Sequence, residues 1–153
     1  MRKIFLLLLT IVILIIPRVS EAYDITQISG FNERELESLV TGTGLEGTGY
    51  AFYQMERKYS VNAIFAISIA QIESGHGTSD MARYDNNIFG MMGCYYNSIS
   101  ECINDFGDLM RYEYFDRGLN DLWSVGSVYC PDNNNWSELI ESQIYYNLNY
   151  LNR

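Results

Sequence analysis

Histidine, proline and positive charge are scarce in this chain, and each scarcity closes off a line of chemistry. One histidine and three cysteines, Cys94, Cys102 and Cys130, stand in 153 residues. Scattered thiols and the lone His76 lack the ligand spacing of a zinc site, and no metal or organic cofactor is implied. A cysteine nucleophile would need a histidine base, for which His76 is the single candidate. Ten Lys and Arg face nineteen Asp and Glu, a formal net charge of −9. A field of that sign argues against nucleic acid as a partner. With 48 % hydrophobic and 19 % charged residues, the chain reads as one globular domain with a single core.

The first residues are unlike the rest. Arg2 and Lys3 precede an apolar run from Ile4 to Ile16, Pro17 breaks it, and Ser20-Glu21-Ala22 offers small residues for cleavage. That is the layout of a secretory signal peptide over 1–22. The run is shorter than the roughly 20 residues of a spanning helix, so no stable membrane insertion is expected after cleavage; an uncleaved anchor is the alternative. No cysteine follows it directly, which argues against a lipoprotein. The chain from Tyr23 onward would carry seven basic and eighteen acidic residues. In an exported protein one disulfide is permitted, with one thiol left over, and the pairing is open.

Strand signals are scarce and the fold is expected to be mainly α. Residues 23–31 look like a linker within an N-terminal segment, 23–43, that carries a short helix. Asn32 with Glu35 resembles a capped start, with Leu36, Leu39 and Val40 as its apolar stripe. Thr41 to Gly49 is a glycine-rich loop, and Tyr50 to Lys58 is helical, with Phe52, Met55 and Tyr59 on one side. Val61 to Glu73, with Ser60 as the expected cap, is apolar nearly all round and should be buried. Short helices are expected over Ser79 to Arg83 and near Leu119 to Val125. Ser98 with Glu101 opens another that runs to about Arg111. Asn135 with Glu138 opens the last, whose buried face is Trp136, Leu139, Ile140, Ile144, Leu148 and Leu151. Thirteen tyrosines suit a carbohydrate groove, where a ring face packs on sugar C–H groups; composition alone equally permits a tyrosine-rich core.

Glu73 is the residue that needs explaining. It ends the most apolar helix, just before Ser74-Gly75-His76-Gly77. A carboxyl there is partly desolvated and meets the negative end of the helix dipole, and both disfavour its ionised form. A carboxylic acid kept protonated at the mouth of a groove is what cleavage of a glycosidic bond requires.

The surrounding residues carry a resemblance. The run Ala66-Ile67-Ser68-Ile69-Ala70-Gln71-Ile72-Glu73-Ser74-Gly75-His76-Gly77-Thr78-Ser79 and the later Asn86-Asn87-Ile88-Phe89-Gly90-Met91 resemble the signature of bacterial endo-β-N-acetylglucosaminidases. These are glucosaminidase-type autolysins similar to glycoside hydrolase family 73. Gly44-Leu45-Glu46-Gly47, Tyr59-Ser60-Val61-Asn62 and Tyr129-Cys130-Pro131-Asp132 with Trp136 also look like family segments, so the likeness spans about 44–146. The resemblance implies a catalytic domain over 44–153 with a lysozyme-like α lobe. It implies peptidoglycan glycan strands as substrate, at the bond between N-acetylglucosamine and N-acetylmuramic acid, and a secreted or cell-wall location. Glu73 carries over as general acid, Tyr129 as a catalytic residue near it that would hold the sugar's acetamido group or orient water, and Ser74, Asn87, Phe89 and Gly90 as groove residues.

One departure from the family matters. Many relatives hold a second carboxylate on a small β lobe after the Asn-Asn-Leu-Phe-Gly segment, but here only Met91 to Asn97 separates that segment from the next helix. The β lobe is expected to be reduced or absent. Glu101 is the nearest second-acid candidate, although its capping position explains it well; Asp85 and Glu113 are weaker ones. Substrate assistance by the N-acetyl oxygen would make a second acid unnecessary. A lytic transglycosylase or a muramidase using Glu73 alone, and a non-catalytic wall-binding module, are the other readings. With no appended attachment repeat and an acidic surface, a local role beside a secretion, conjugation or phage-derived machine is expected.

Overall fold

The computed structural model describes residues 23–152, so the expected leader at 1–22 lies outside the described residues. Seven α-helices follow in order: α1 Glu33–Ser38, α2 Gly49–Tyr59, α3 Ala63–Glu73, α4 Asp80–Asp85, α5 Ile99–Leu109, α6 Leu122–Tyr129 and α7 Trp136–Leu151. The described residues contain no strand, and none of their helices is long and apolar enough to cross a membrane.

Helix α3 is the axis of the molecule. Every residue from Ala63 to Gln71 is buried, as its unbroken apolar sequence demands. Helices α2 and α7 pack along it, and α5 reaches it through Phe106 against Phe65 at 6.4 Å between ring centroids. Its few polar side chains are satisfied internally. Asn147 of α7 donates to Ser68 Oγ at 3.0 Å and to Gln71 Oε1 at 2.9 Å, while Gln71 Nε2 donates to the Leu39 carbonyl at 3.0 Å. Directional bonds of this kind fix the register of α7 on α3, because a slip would strand buried polar groups.

The helix starts differ from expectation at three places. Asn62, not Ser60, caps α3, accepting from Ile64 N and Phe65 N. Ser60 instead ends α2 in the left-handed region at φ 53. Asn135 makes no side-chain cap on α7; the bond at that corner runs from Asn135 N to Asn133 Oδ1. The Ser98 hydroxyl does accept from Glu101 N, but the Glu101 carboxylate binds Asn97 N and Nδ2 rather than closing the box on Ser98. The Asn32–Glu35 box on α1 forms as expected. Leu139 is 47 % exposed, and Asn147 is buried on the face where Leu139 was expected.

Residues 23–31 are no loose linker. Ile25 is fully buried, and its carbonyl accepts from Asn62 N at 3.0 Å. The buried Glu56 carboxylate accepts from Ser29 N at 2.6 Å, Ser29 Oγ at 3.2 Å and Ala63 N at 2.8 Å. One side chain thus binds the N-terminal segment to the start of α3. Nor does α5 simply end near Arg111: it widens into a π-helical turn, Met110–Tyr114, and tightens into a 3₁₀ turn, Phe115–Arg117. Helix α6 begins three residues later than expected and runs to Tyr129, capped by Asp121.

Replacing Glu56 by Ala should leave the Ser29 and Ala63 amides without their acceptor. Urea unfolding is expected to show a loss of about 2–4 kcal/mol; an unchanged midpoint would contradict this role.

Candidate active site

Helix α3 ends at Glu73 because the next residues turn sharply. Ser74 Oγ donates to the Ala70 carbonyl at 2.5 Å and accepts from Gly77 N at 2.7 Å, and His76 N returns to the Gln71 carbonyl at 2.8 Å. Ser74 is therefore buried and committed to the turn; it does not reach the groove as the resemblance implied. The half-buried Glu73 carboxylate faces two ways. Its Oε1 accepts from the indole Nε1 of Trp136 at 2.7 Å. Its Oε2 lies toward Gly90, where a Cβ would sit 3.8 Å away.

The indole is held firmly. Trp136 is the first residue of α7, 2 % exposed, with its ring 5.2 Å from that of Tyr129. Helices α6 and α7 meet so closely that a side chain at Gly126 would collide with Ser137 and with the indole. Sequence reading counted Trp136 as core and as part of a family segment, and missed its bond to the acid. Periodicity reports which face is buried, not where an N–H points.

A groove of about 500 Å³ opens over Glu73, floored by Phe89, Gly90 and Tyr129 and walled by Met91, Met92 and Tyr114. Phe89 stacks flat on Phe106 at 3.8 Å, so its ring is core as well as floor. Tyr129 Oη donates to the Phe89 carbonyl at 2.6 Å. Burial, and after it the charge of Glu73, holds the Tyr129 phenol well above its usual range, which keeps it a neutral donor. Asn87 does not line the groove. It is buried, its Nδ2 donates to the carbonyls of Met91 and Cys94 at 2.7 and 3.1 Å, and its Oδ1 accepts from Met91 N at 3.1 Å. With Asn86, whose amide donates to the Tyr96 carbonyl at 2.8 Å, it shapes the short loop that forms one wall.

The second-acid candidates separate cleanly. Glu101 is held by Asn97 and does not line the groove, and neither does Asp85. Glu113 does, together with Asp105 and Asp108, which sequence reading missed. The π-helical turn brings Glu113 and Tyr114 to the wall, and a one-residue widening of a helix leaves no periodic trace. Asp105 accepts from Tyr96 Oη at 2.6 Å, and Glu113 pairs with Arg117. Among the described residues no lysine or arginine lines the groove. The three thiols are free, so the permitted disulfide is not formed. Cys94 and Cys130 stand at the groove wall. Burial pushes the Cys130 thiol up, with the charges of Glu73 and Asp132 behind it, and burial pushes Cys102 up to about 12.

An all-helical frame whose central helix delivers a carboxyl to an aromatic-floored groove is a lysozyme-like α lobe, here without a β lobe among the described residues. Residues 49–150 match the glucosaminidase family, described as mannosyl-glycoprotein endo-beta-N-acetylglucosaminidase, and the chain belongs to that family. It is 49 % identical over 49 residues to the bifunctional autolysin of Staphylococcus epidermidis, covering 31 % of this chain and 4 % of that protein. It is 24 % identical over 136 residues to a putative endo-beta-N-acetylglucosaminidase of Streptococcus pneumoniae, covering 78 % of this chain and 21 % of the relative. The chain thus spans about a fifth of the pneumococcal relative and far less of the autolysin. The fold matches crystal structures of Staphylococcus aureus autolysin E at 24 % identity and TM-score 0.73, over 84 % of this chain and 71 % of that one. A catalytic mutant of that protein has been solved with the disaccharide NAG-NAM, and autolysin E itself with the muropeptide NAM-L-Ala-D-iGlu.

Two measurements probe this geometry. Asn87→Ala should cost about 1–3 kcal/mol and speed amide exchange at Met91 above that of the α3 core; uniform exchange would contradict a local role. Stability should also fall with alkali. Cys102 and Tyr23, each pushed up to about 12 chiefly by burial, favour the fold only while neutral, whereas the unfolded thiol and phenol ionise near 9 and 10. Their contribution is complete below pH ~9 and disappears as pH rises toward ~12. The urea midpoint should drop over that window, and less steeply in Cys102→Ala.

Proposed function

We propose that this protein hydrolyses peptidoglycan glycan strands at the N-acetylglucosaminyl-β-1,4-N-acetylmuramic acid bond, with Glu73 as general acid. The observation that carries this reading is the Glu73 carboxyl, set by a buried helix at the floor of the groove with one oxygen anchored and the other toward Gly90. Family membership and the glycan and muropeptide complexes of autolysin E support the substrate class. Glu73 protonates the leaving oxygen as the C1–O bond breaks. Tyr129, Phe89 and Gly90 form the floor against which the sugar lies, and Ser74 and Asn87 serve the site by shaping its turn and its wall.

For the other half of the reaction, two of the three additional groove acids are already engaged, Asp105 by Tyr96 and Glu113 by Arg117. That favours substrate assistance. The acetamido oxygen bonds to the anomeric carbon as the leaving group departs, and water then opens the resulting oxazolinium ring, its proton passing to Glu73. Action at the cell wall after export by the 1–22 leader belongs to the same proposal, as does a local role beside a secretion, conjugation or phage-derived machine.

Digestion of purified peptidoglycan, followed by borohydride reduction and mass spectrometry, tests the bond. Reduced N-acetylglucosamine ends are expected, absent with Glu73→Gln. Anhydromuramic ends would make it a lytic transglycosylase and reduced muramic ends a muramidase; no new ends would favour a wall-binding module. Glu113→Gln should keep at least about a tenth of kcat. A loss of a thousandfold or more would instead make Glu113 the second acid.

A further inference from the structure

We infer that Trp136 is a positioning residue that decides which oxygen of Glu73 carries the acid proton. The inference rests on the reading of Glu73 as general acid. Indole Nε1–H can only donate, and it donates to Glu73 Oε1 at 2.7 Å. A carbonyl oxygen is a stronger acceptor than the hydroxyl oxygen of a neutral carboxyl, so the protonated acid keeps Oε1 as its carbonyl and places the hydrogen on Oε2. That is the oxygen beside Gly90, on the groove floor. The proton is thereby aimed at the groove and away from the core.

The neighbours leave Trp136 this role alone. Its ring is packed against Tyr129 and α6 and cannot swing. The Tyr129 hydroxyl already donates to the Phe89 carbonyl, so it does not compete for Oε1. The bond also strengthens during the reaction. As the Oε2 proton passes to the glycosidic oxygen, negative charge spreads onto Oε1, and the indole hydrogen bond becomes charge-assisted. An interaction stronger in the transition state than in the ground state raises kcat and leaves substrate binding alone.

Two substitutions test this on soluble, un-cross-linked glycan chains. Trp136→Phe removes the N–H and part of the ring. Benzothienylalanine at position 136, introduced in a Trp123→Phe background, keeps the ring shape and replaces only N–H by sulfur. Both should lower kcat roughly ten- to hundredfold with KM within about twofold. Wild-type kcat in the sulfur isostere would overturn the inference, as would a raised KM with kcat unchanged. If the Phe variant fails to fold, the isostere still decides. Glu73→Gln run alongside separates the two levels: turnover retained there removes the general-acid reading itself, whereas a dead Glu73→Gln beside a fully active isostere removes only the role of Trp136.

Discussion

Helix α3 has no solvent-facing side between Ala63 and Gln71, so the one place its sequence can hold a carboxylate is its end. Full burial of a helix requires partners on every side, and α2, α5 and α7 supply them. Those partners then do more than cover it. The start of α7 brings the Trp136 indole to Glu73, and α5 carries Phe106 beneath Phe89. The widened turn after α5 adds Glu113 and Tyr114 to the groove. The site is therefore the exposed end of the core, and it inherits the core's rigidity. Glu73 is not a surface acid that found a cleft. It marks the point where the most buried element of the fold meets solvent.

The charge of the groove sets the conditions for any ligand. Glu73, Asp105, Asp108 and Glu113 share it with no lysine or arginine among the described residues, on a chain whose net charge is −9. Long-range attraction of an anionic wall polymer is not available to such a surface. On the proposed reading, recognition depends on shape and on short-range contact with neutral sugar faces, for which Phe89, Tyr114, Tyr129 and Met92 are suited. A protein that does not adhere to its substrate by charge gains from being held near it, which is consistent with the local role proposed above.

Much of this was legible in the sequence, and the remainder failed for identifiable reasons. The unbroken apolar run of α3 predicted burial all round, and the residues that follow it singled out Glu73 at its end as the candidate acid. The seven residues from Met91 to Asn97 were too few for a β lobe, and the loop is indeed strandless. Caps were less reliable. Ser60 and Asn62 both offer an oxygen near the start of α3, and the choice was made by Ser60 adopting a left-handed conformation to end α2. Residues 23–31 read as a linker, because the burial of Ile25 within them leaves no local periodic signal. Ser74 and Asn87 belong to family motifs, yet their side chains bond the backbone around the site; a motif records that a residue type is needed, not which way it faces. The position of Glu113 at the groove was not legible, because only a π-helical turn brings it there.

The most direct test of the account is a crystal structure of Glu73→Gln with a glycan tetrasaccharide bound. The account predicts the chain lying across Phe89, Gly90 and Tyr129, with an N-acetylglucosamine C1 on one side of the scissile bond. Its glycosidic oxygen should lie within about 3.2 Å of the residue-73 side-chain atom nearer Gly90, while Trp136 still donates to the other. A glycan seated elsewhere on the surface, or one whose scissile oxygen lies beyond reach of residue 73, would contradict it.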